Sequence, residues 1–407
     1  MALGGNDLSL PARFAILPTK QMSRSNLPNL IENMRLAVRL AQRGYGATSP
    51  NPMVGAVLVK DGKVIGRGWH RQAGGPHAEI EALRDAQKHG FKPKGATLYV
   101  TLEPCCTHGR TPPCTEAIIA AGLKRVVVGA VDPNPQHSGR GFNLFRRAGI
   151  AVVHGVLSAE CVRLNEAFNH WIIHRTPFVT VKAAMTLDGK IATARGESKW
   201  ITAGKARAYG MKLRQGSDAI LVGINTILQD DPSLTFRRGS KSQGKPRPAR
   251  LRRIVLDAMA RTPLTARVVR DEHAALTTIV VSRRAPRKRV TALARRANVL
   301  VAPLKQSAPR SPHSTLDLPW LLRRLGAEDV TTLLVEGGGE VNASFLLGGL
   351  AQRVVFFYAP KVLGGRDSRK GVAGNGVTHL SEVRQLCEVE WRKLGPDLLL
   401  TAKVVGG

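Results

Sequence analysis

The stretch Thr97-Leu98-Tyr99-Val100-Thr101-Leu102-Glu103-Pro104-Cys105-Cys106-Thr107-His108-Gly109-Arg110-Thr111-Pro112-Pro113-Cys114 decides how this chain reads. Residues 97–101 are β-branched, aromatic or aliphatic, the composition of a strand. Glu103-Pro104-Cys105 follows the strand and Cys114 opens a helix-like run, so thiols stand where strand gives way to helix. In an α/β layer, chemistry is expected where loops leave strand ends. The alternation continues outward. Leu30-Ile31, Met34, Ala37-Val38 and Ala41 recur at helical spacing, with Gly44 as a stop. Strands at 54–59 and 64–69 flank Asp61-Gly62, a hairpin signal. A helix at 78–88, strands at 125–130 and 151–153, and a helix near 143–148 complete this half, and 158–175 reads as one connecting helix.

Pro177 begins a second series, with strands near 178–184, 219–222, 254–257, 278–281, 299–302, 332–335 and 354–358, and a helix at 341–347. The polar stretch 239–250 reads as a mobile loop within it. A length of 407 residues suits two or three domains. The expected division is an N-terminal extension at 1–28, one domain at 29–175 and a second at 176–407.

A hydrophobic content of 43% excludes a fully disordered chain. No apolar run reaches the roughly 18 residues of a membrane span; the region 333–357 is interrupted by Glu336, Glu340 and Arg353. A soluble, cytoplasmic protein is expected, without a membrane partner. Residues 1–28 carry Arg13, Lys20 and Arg24 against Asp7 and no signal-peptide core. They read as a floppy extension, with an organellar targeting segment as the alternative. Lys and Arg number 61 against 29 Asp and Glu, a net charge of +32. Between Arg237 and Arg310 stand 20 of these cations and three acids. Such a segment attracts nucleic acid, phosphorylated ligands or anionic membranes, or simply covers solvated faces. With 5% aromatic residues the chain lacks a surface for stacking bases, so nucleic acid is not expected as a partner.

Of five cysteines, Cys161 and Cys387 stand alone, while Cys105, Cys106 and Cys114 crowd beside His108 and downstream of His77. One imidazole and two thiolates would hold zinc with the fourth tetrahedral position open to water. His77-Ala78-Glu79 followed by Pro104-Cys105 is the signature of zinc nucleobase deaminases, in which the Glu moves protons and is not a ligand. The usual second cysteine of P-C-x-x-C would stand at 108, where there is a histidine. His108, Cys106 or Cys114 could complete the set with His77 and Cys105. Cys114 is better placed, because a helix N-terminus favours thiolate. In the second half Gly337-Gly338-Gly339 follows an apolar strand, a place for backbone N–H groups to meet a phosphate or merely a turn.

Asn51-Pro52 ahead of a strand, His77-Ala78-Glu79, Thr101-Leu102-Glu103-Pro104-Cys105, His108-Gly109-Arg110-Thr111-Pro112-Pro113-Cys114, Asp132-Pro133-Asn134-Pro135 and Gly139-Arg140-Gly141 resemble the bifunctional deaminase–reductase family of riboflavin biosynthesis. The second half continues the likeness, with Lys182-Ala183-Ala184-Met185-Thr186-Leu187-Asp188-Gly189-Lys190, Glu197-Ser198-Lys199-Trp200, the run 230–235, Val335-Glu336-Gly337-Gly338 and Ala359-Pro360-Lys361. The resemblance covers about 29–403. It implies an α/β protein with an N-terminal cytidine-deaminase-like three-layer domain and a C-terminal dihydrofolate-reductase-like domain. It implies one Zn2+ on His77, Cys105 and Cys114, Glu79 as the proton shuttle, and a spare thiol at Cys106. Asn51, His70 and Arg110 become substrate contacts. NADPH is implied at Ala184, Trp200, Thr226, Asp230 and the loop Gly338, Gly339, Glu340, Val341, Asn342, Ala343 and Ser344. A second substrate site is implied at Ser198, Arg214, Leu234, Arg237 and Glu336, with both arginines available to a ribose phosphate. The implied partner is a phosphorylated pyrimidine, and the implied assembly a homo-oligomer.

Overall fold

The computed structural model describes residues 27–107, 112–135, 137–236, 251–304 and 316–406. The N-terminal segment 1–26 and the predicted loop 239–250 lie outside the described residues. The chain divides into two units, one ending at Asn169 and the other beginning at His170.

The first unit runs α1 (Leu27–Ala41), β1 (Gly55–Lys60), β2 (Lys63–Trp69), α2 (Ala78–Lys88), β3 (Thr97–Leu102), α3 (Cys114–Ala120), β4 (Arg125–Ala130), α4 (Arg140–Arg147), β5 (Ala151–His154) and α5 (Ser158–Leu164), with α6 (Glu166–His174) crossing the boundary. Asp61 and Gly62 both adopt positive φ, at 48° and 75°, the geometry of a tight turn between β1 and β2. The sheet order is β2-β1-β3-β4-β5, antiparallel through β1 and parallel from β3 onward. Alternating residues face opposite layers. Ala56, Leu58, Leu98, Val100, Val126 and Val128 pack against α2, α3 and α4 through Ala82, Ile118 and Phe145. Val57, Tyr99 and Val127 pack against Leu30, Met34 and Ala37 of α1 and Cys161 of α5. Three layers result, as the resemblance implies.

One element differs from expectation. The predicted single helix 158–175 is two helices, broken at Asn165. The Asn165 amide binds the backbone of Met53 in both directions instead, accepting from Met53 N at 2.8 Å and donating to its carbonyl at 2.9 Å. Asn competes readily with helical backbone bonding, which explains the break.

The second unit continues with β6 (Phe178–Thr186), β7 (Lys190–Ala192), α7 (Gly204–Gln215), β8 (Ala219–Gly223), α8 (Ile224–Asp230), β9 (Arg252–Leu256), β10 (Thr277–Ser282), α9 (Arg287–Ala294), β11 (Asn298–Ala302), α10 (Leu318–Ala327), β12 (Thr332–Val335), α11 (Gly339–Leu347), β13 (Arg353–Ala359), β14 (Arg369–Lys370), β15 (Leu386–Leu394) and β16 (Asp397–Val404). Nine strands form one sheet in the order β11-β10-β9-β8-β12-β6-β13-β16-β15. It is parallel up to β13 and antiparallel across β13, β16 and β15. Val181, Leu221, Ile254, Val280 and Val335 face α10 and α11, while Ile220, Val222, Val255, Ile279 and Val281 face α8 and α9. This is the dihydrofolate-reductase-like layering, closed by a C-terminal hairpin that hydropathy does not announce. β15 is an edge strand exposed along nearly its whole length, so no apolar face marks it.

Candidate functional site

His77 is the N-cap of α2, in extended conformation and without a capping bond from its side chain, which leaves the ring free for other work. The helix start lies tight on β2: a Cβ at Gly68 would stand 2.1 Å from the Ala78 carbonyl, so glycine there sets how deep His77 sits. Cys105 follows β3, and Cys114 is the first residue of α3. These three elements end together. His77 Nδ1 lies 3.2 Å from Cys114 Sγ and 3.5 Å from Cys105 Sγ, and the Cys114 N–H donates to Cys105 Sγ at 3.3 Å. All three donor atoms fall within 4.8 Å of one another. Zinc takes imidazole and thiolate donors tetrahedrally, and three protein ligands leave one position open, so the group fits Zn2+.

The charges favour that use. Hydrogen bonding from Cys114 and His77 draws the Cys105 thiol down to about 4, although burial opposes it. Cys114 is pushed up in turn, because its proton bridges to Cys105 in a buried place. Glu79, 3% exposed in the first turn of α2, is raised to about 7 by burial and by the charge on Cys105. A carboxyl poised near neutrality can both take and give a proton. His70, also buried, accepts from Asn51 Nδ2 at its Nε2 (3.1 Å) and donates from Nδ1 to the Pro76 carbonyl (3.0 Å). Burial lowers its pKa, which suits the neutral ring that this pairing requires. Its ring meets that of His77 edge-on at 5.4 Å, so Asn51, His70, His77 and Glu79 belong to one site. His108 and Arg110 lie outside the described residues.

In the second unit, Arg214 and Glu336 meet. The Arg214 fork donates to both Glu336 oxygens at 2.9 Å, and its Nη1 donates to the Thr235 carbonyl at 3.1 Å. Lys182 Nζ stands 3.7 Å from Glu336. Burial would raise the Glu336 carboxyl, but Lys182 and Arg214 together hold it down to about 2. Leu234 beside Thr235 is 2% exposed, at a left-handed φ of 51°. Ser198 Oγ donates to Asp230 Oδ1 at 3.3 Å, and Lys199 lies 3.7 Å from the same oxygen. Trp200 is 66% exposed, under the Arg207 guanidinium, and its carbonyl accepts from Lys361 Nζ at 3.0 Å. Ala184 lies on β6 and Thr226 on α8, both half-buried. Gly338 caps α11, and a Cβ there would meet nothing within 4 Å. At Gly339 a Cβ would stand 2.3 Å from the Lys370 carbonyl, so only glycine brings this turn against the end of β14. Glu340 and Ser344 are exposed, Val341 is half-buried, and Asn342 and Ala343 are turned inward. Asn342 Nδ2 donates to the Gly371 carbonyl at 2.8 Å. Arg237 lies outside the described residues.

The family description "Cytidine and deoxycytidylate deaminase zinc-binding region" matches residues 28–130, and "RibD C-terminal domain" matches 177–400. The "Riboflavin biosynthesis protein RibD" of Actinobacillus pleuropneumoniae is 40% identical over 375 residues, spanning 92% of this chain and 95% of that one. The chain belongs to the RibD family. The RibD of Escherichia coli K12 is likewise 40% identical, over 90% of this chain and 97% of its own. Among solved structures, Acinetobacter baumannii RibD superposes with a TM-score of 0.80 at 32% identity, covering 93% of this chain and 99% of its own. The Thermotoga maritima diaminohydroxyphosphoribosylaminopyrimidine deaminase/5-amino-6-(5-phosphoribosylamino)uracil reductase gives 0.78 at 36%, with the same coverage. RibD proteins are bifunctional deaminases and reductases of riboflavin biosynthesis, and this chain carries both halves.

Three residues that position these RibD sites carry no role in the sequence reading. Glu103 accepts from the N–H groups of Asp132 (3.2 Å), Gly139 (3.0 Å) and Gly141 (3.1 Å), tying the loop before α4 to the Cys105 strand end. The sequence shows its place in the motif and not its partners, which lie 29–38 residues further on. Asn165 holds Met53, two residues from Asn51; a lone Asn inside a helical pattern was its only signal. Lys182, two residues before Ala184 on β6, joins the Arg214–Glu336 pair from a position that sequence reads as plain strand.

Proposed function

We propose that the first unit hydrolytically deaminates 2,5-diamino-6-(5-phosphoribosylamino)pyrimidin-4(3H)-one, and that the second reduces the ribosyl chain with NADPH, giving 5-amino-6-(5-phosphoribitylamino)uracil. The observation that carries the first step is the His77, Cys105 and Cys114 group with Glu79 buried behind it. Zinc held there supplies Lewis-acid activation of water. The Glu79 carboxylate accepts one proton from the attacking water and passes it to the ring nitrogen, then takes the second proton from the new hydroxyl to the amino group, which leaves as ammonia when the C–N bond breaks. Asn51 and His70 hold the pyrimidine in register, and Arg110 takes the phosphate through its planar fork.

For the second step, the open Gly338 turn at the start of α11 supports a dinucleotide phosphate, with Glu340, Val341 and Ser344 beside it. NADPH supplies the hydride. Ala184, Trp200, Thr226 and Asp230 line its place, while Ser198, Leu234 and Arg237 meet the sugar phosphate. Arg214 and Glu336 lie on the substrate side as a preorganised pair, whose own charges are already matched before the ligand arrives. A homo-oligomer is the expected assembly, supported by the exposed edge strand β15 with Trp391 59% exposed. The described residues include no helix long and apolar enough to cross a membrane.

The test follows ammonia from the diaminopyrimidine ribosyl phosphate without NADPH, then NADPH oxidation after its addition. Chelation of zinc is expected to abolish ammonia release while leaving reduction of pre-formed 5-amino-6-(5-phosphoribosylamino)uracil intact. Zinc dependence of NADPH consumption on the pre-formed 5-amino-6-(5-phosphoribosylamino)uracil, or ammonia release from Glu79→Gln at the wild-type rate, would overturn these assignments.

A further inference from the structure

We propose that Arg253, a fully buried arginine on β9, is a positioning residue for the reductase site: it fixes the 233–235 turn, whose Thr235 carbonyl holds Arg214, the partner of Glu336.

Arg253 is 0% exposed and is the largest of the fully buried side chains among the described residues. A guanidinium taken out of water is strongly disfavoured unless its charge and all its donors are matched. Here the matching is complete. Nε donates to Thr277 Oγ1 at 2.8 Å, Nη1 to Asp271 Oδ2 (2.7 Å) and to the Ser233 carbonyl (2.9 Å), and Nη2 to Asp271 Oδ1 (2.8 Å) and the Val268 carbonyl (3.0 Å). All five N–H groups are used. A core position on an interior strand could hold an aliphatic residue at less desolvation cost. What the arginine adds is a rigid planar anchor with one donor aimed at Ser233.

Ser233 is one residue from Leu234 and two from Thr235. Arg253 grips the Ser233 carbonyl from one side and Arg214 grips the Thr235 carbonyl from the other. Ser233 Oγ and Thr235 Oγ1 meet at 3.1 Å, closing the turn. Between the two grips Leu234 is held at φ 51°, a conformation unfavourable for an L-residue that persists only where its surroundings over-determine it. The two arginines over-determine it. Because the same Arg214 presents its fork to Glu336, a turn that slips at Ser233 moves Thr235, then Arg214, then Glu336. Among the described residues Arg253 bonds to none of the groups assigned to the ligand, so its effect passes through this bracket.

The inference rests on the reading that Arg214, Leu234 and Glu336 face the pyrimidine substrate. Its test uses the full zinc-loaded chain with Arg253→Lys, which keeps a cation against Asp271 but loses the fork. The expected result is a rise of about tenfold in reductase KM for the aminopyrimidine ribosyl phosphate, with NADPH KM and deaminase kcat/KM unchanged. Should Arg253→Lys fail to fold, Asp271→Asn leaves the arginine in place and is expected to raise the same KM by a smaller factor. Arg214→Lys and the double variant complete the cycle. Effects through one bracket do not multiply, so the double variant should match the worse single variant within about threefold. An unchanged KM in Arg253→Lys, an equal rise in NADPH KM, or effects that multiply would each overturn the inference. If Arg214→Lys alone changes KM, only the role of Arg253 has failed. If Arg214→Lys also leaves KM unchanged, the substrate-side reading itself is wrong.

Discussion

Replacing Glu103 by Gln isolates what its charge does beside the metal group. The carboxylate is 4% exposed and binds three backbone N–H groups, two at Oε2 and one at Oε1. Glutamine has one acceptor oxygen. Placed where Oε2 stands, it keeps Asp132 and Gly139 but turns an NH2 toward the Gly141 N–H; flipped, it keeps only Gly141. The better orientation loses one charge-assisted bond, about 1.5–3 kcal/mol, and weakens the other two by losing their charge. A total of about 3 kcal/mol is expected. Room is no escape, because even a Cβ added at Gly141 would stand 3.2 Å from Glu103 Oε1. For a unit of this size such a loss lowers the melting temperature by about 10 °C. Calorimetry of the zinc-loaded chain should show the transition of the first unit moving and that of the second staying, which supplies an internal reference. An unmoved first transition would refute the argument that these bonds hold the 132–141 loop, and a common shift of both would refute its locality.

Asn165→Ala leaves the Met53 N–H and carbonyl without their partner. It should lower the stability of the first unit by about 2 kcal/mol and slow ammonia release, with reductase turnover unchanged in the same preparation. Glu336, held at about 2 against an ordinary 4.5, contributes stability that is present above the unfolded value and lost as pH falls through the folded one. That difference is worth about 3 kcal/mol, so acid unfolding of the second unit should steepen below about pH 4 and flatten in Glu336→Gln. A pH profile identical in the variant would show that the pair contributes nothing to the acid limb.

The parts of the molecule that sequence announces are those whose cause is local. Asp61-Gly62 makes its turn from its own backbone preferences, and His77, Cys105 and Cys114 stand at element ends that their flanking strand and helix patterns mark. What sequence conceals depends on partners far along the chain. Arg214 meets Glu336 across 122 positions, and Asn165 meets Met53 across 112. Arg253 is the sharpest case. It falls within the basic run from Arg237 to Arg310, which reads as solvated charge, yet it is the most completely buried cation described. No periodicity separates it from its half-buried neighbour Arg252, whose partner is Glu328 at 2.7 Å. Only the alternation of β9, once its pairing with β8 and β10 is known, sends the two arginines to opposite faces of the sheet.

The strand order of the second sheet also constrains how the chain is made. β6 emerges first from the ribosome but lies between β12 and β13, so Phe178 waits for Thr332 and Thr180 for Arg353. Pairings of such sequence separation form late, because loop closure must be met before contacts reward it. During synthesis the first unit has every strand it needs by His154, whereas β6 is left with two bare hydrogen-bonding edges for more than 150 residues of elongation. The apolar run on that strand is therefore the segment most in need of shielding in the nascent protein, and the two activities become available in the order of their reactions.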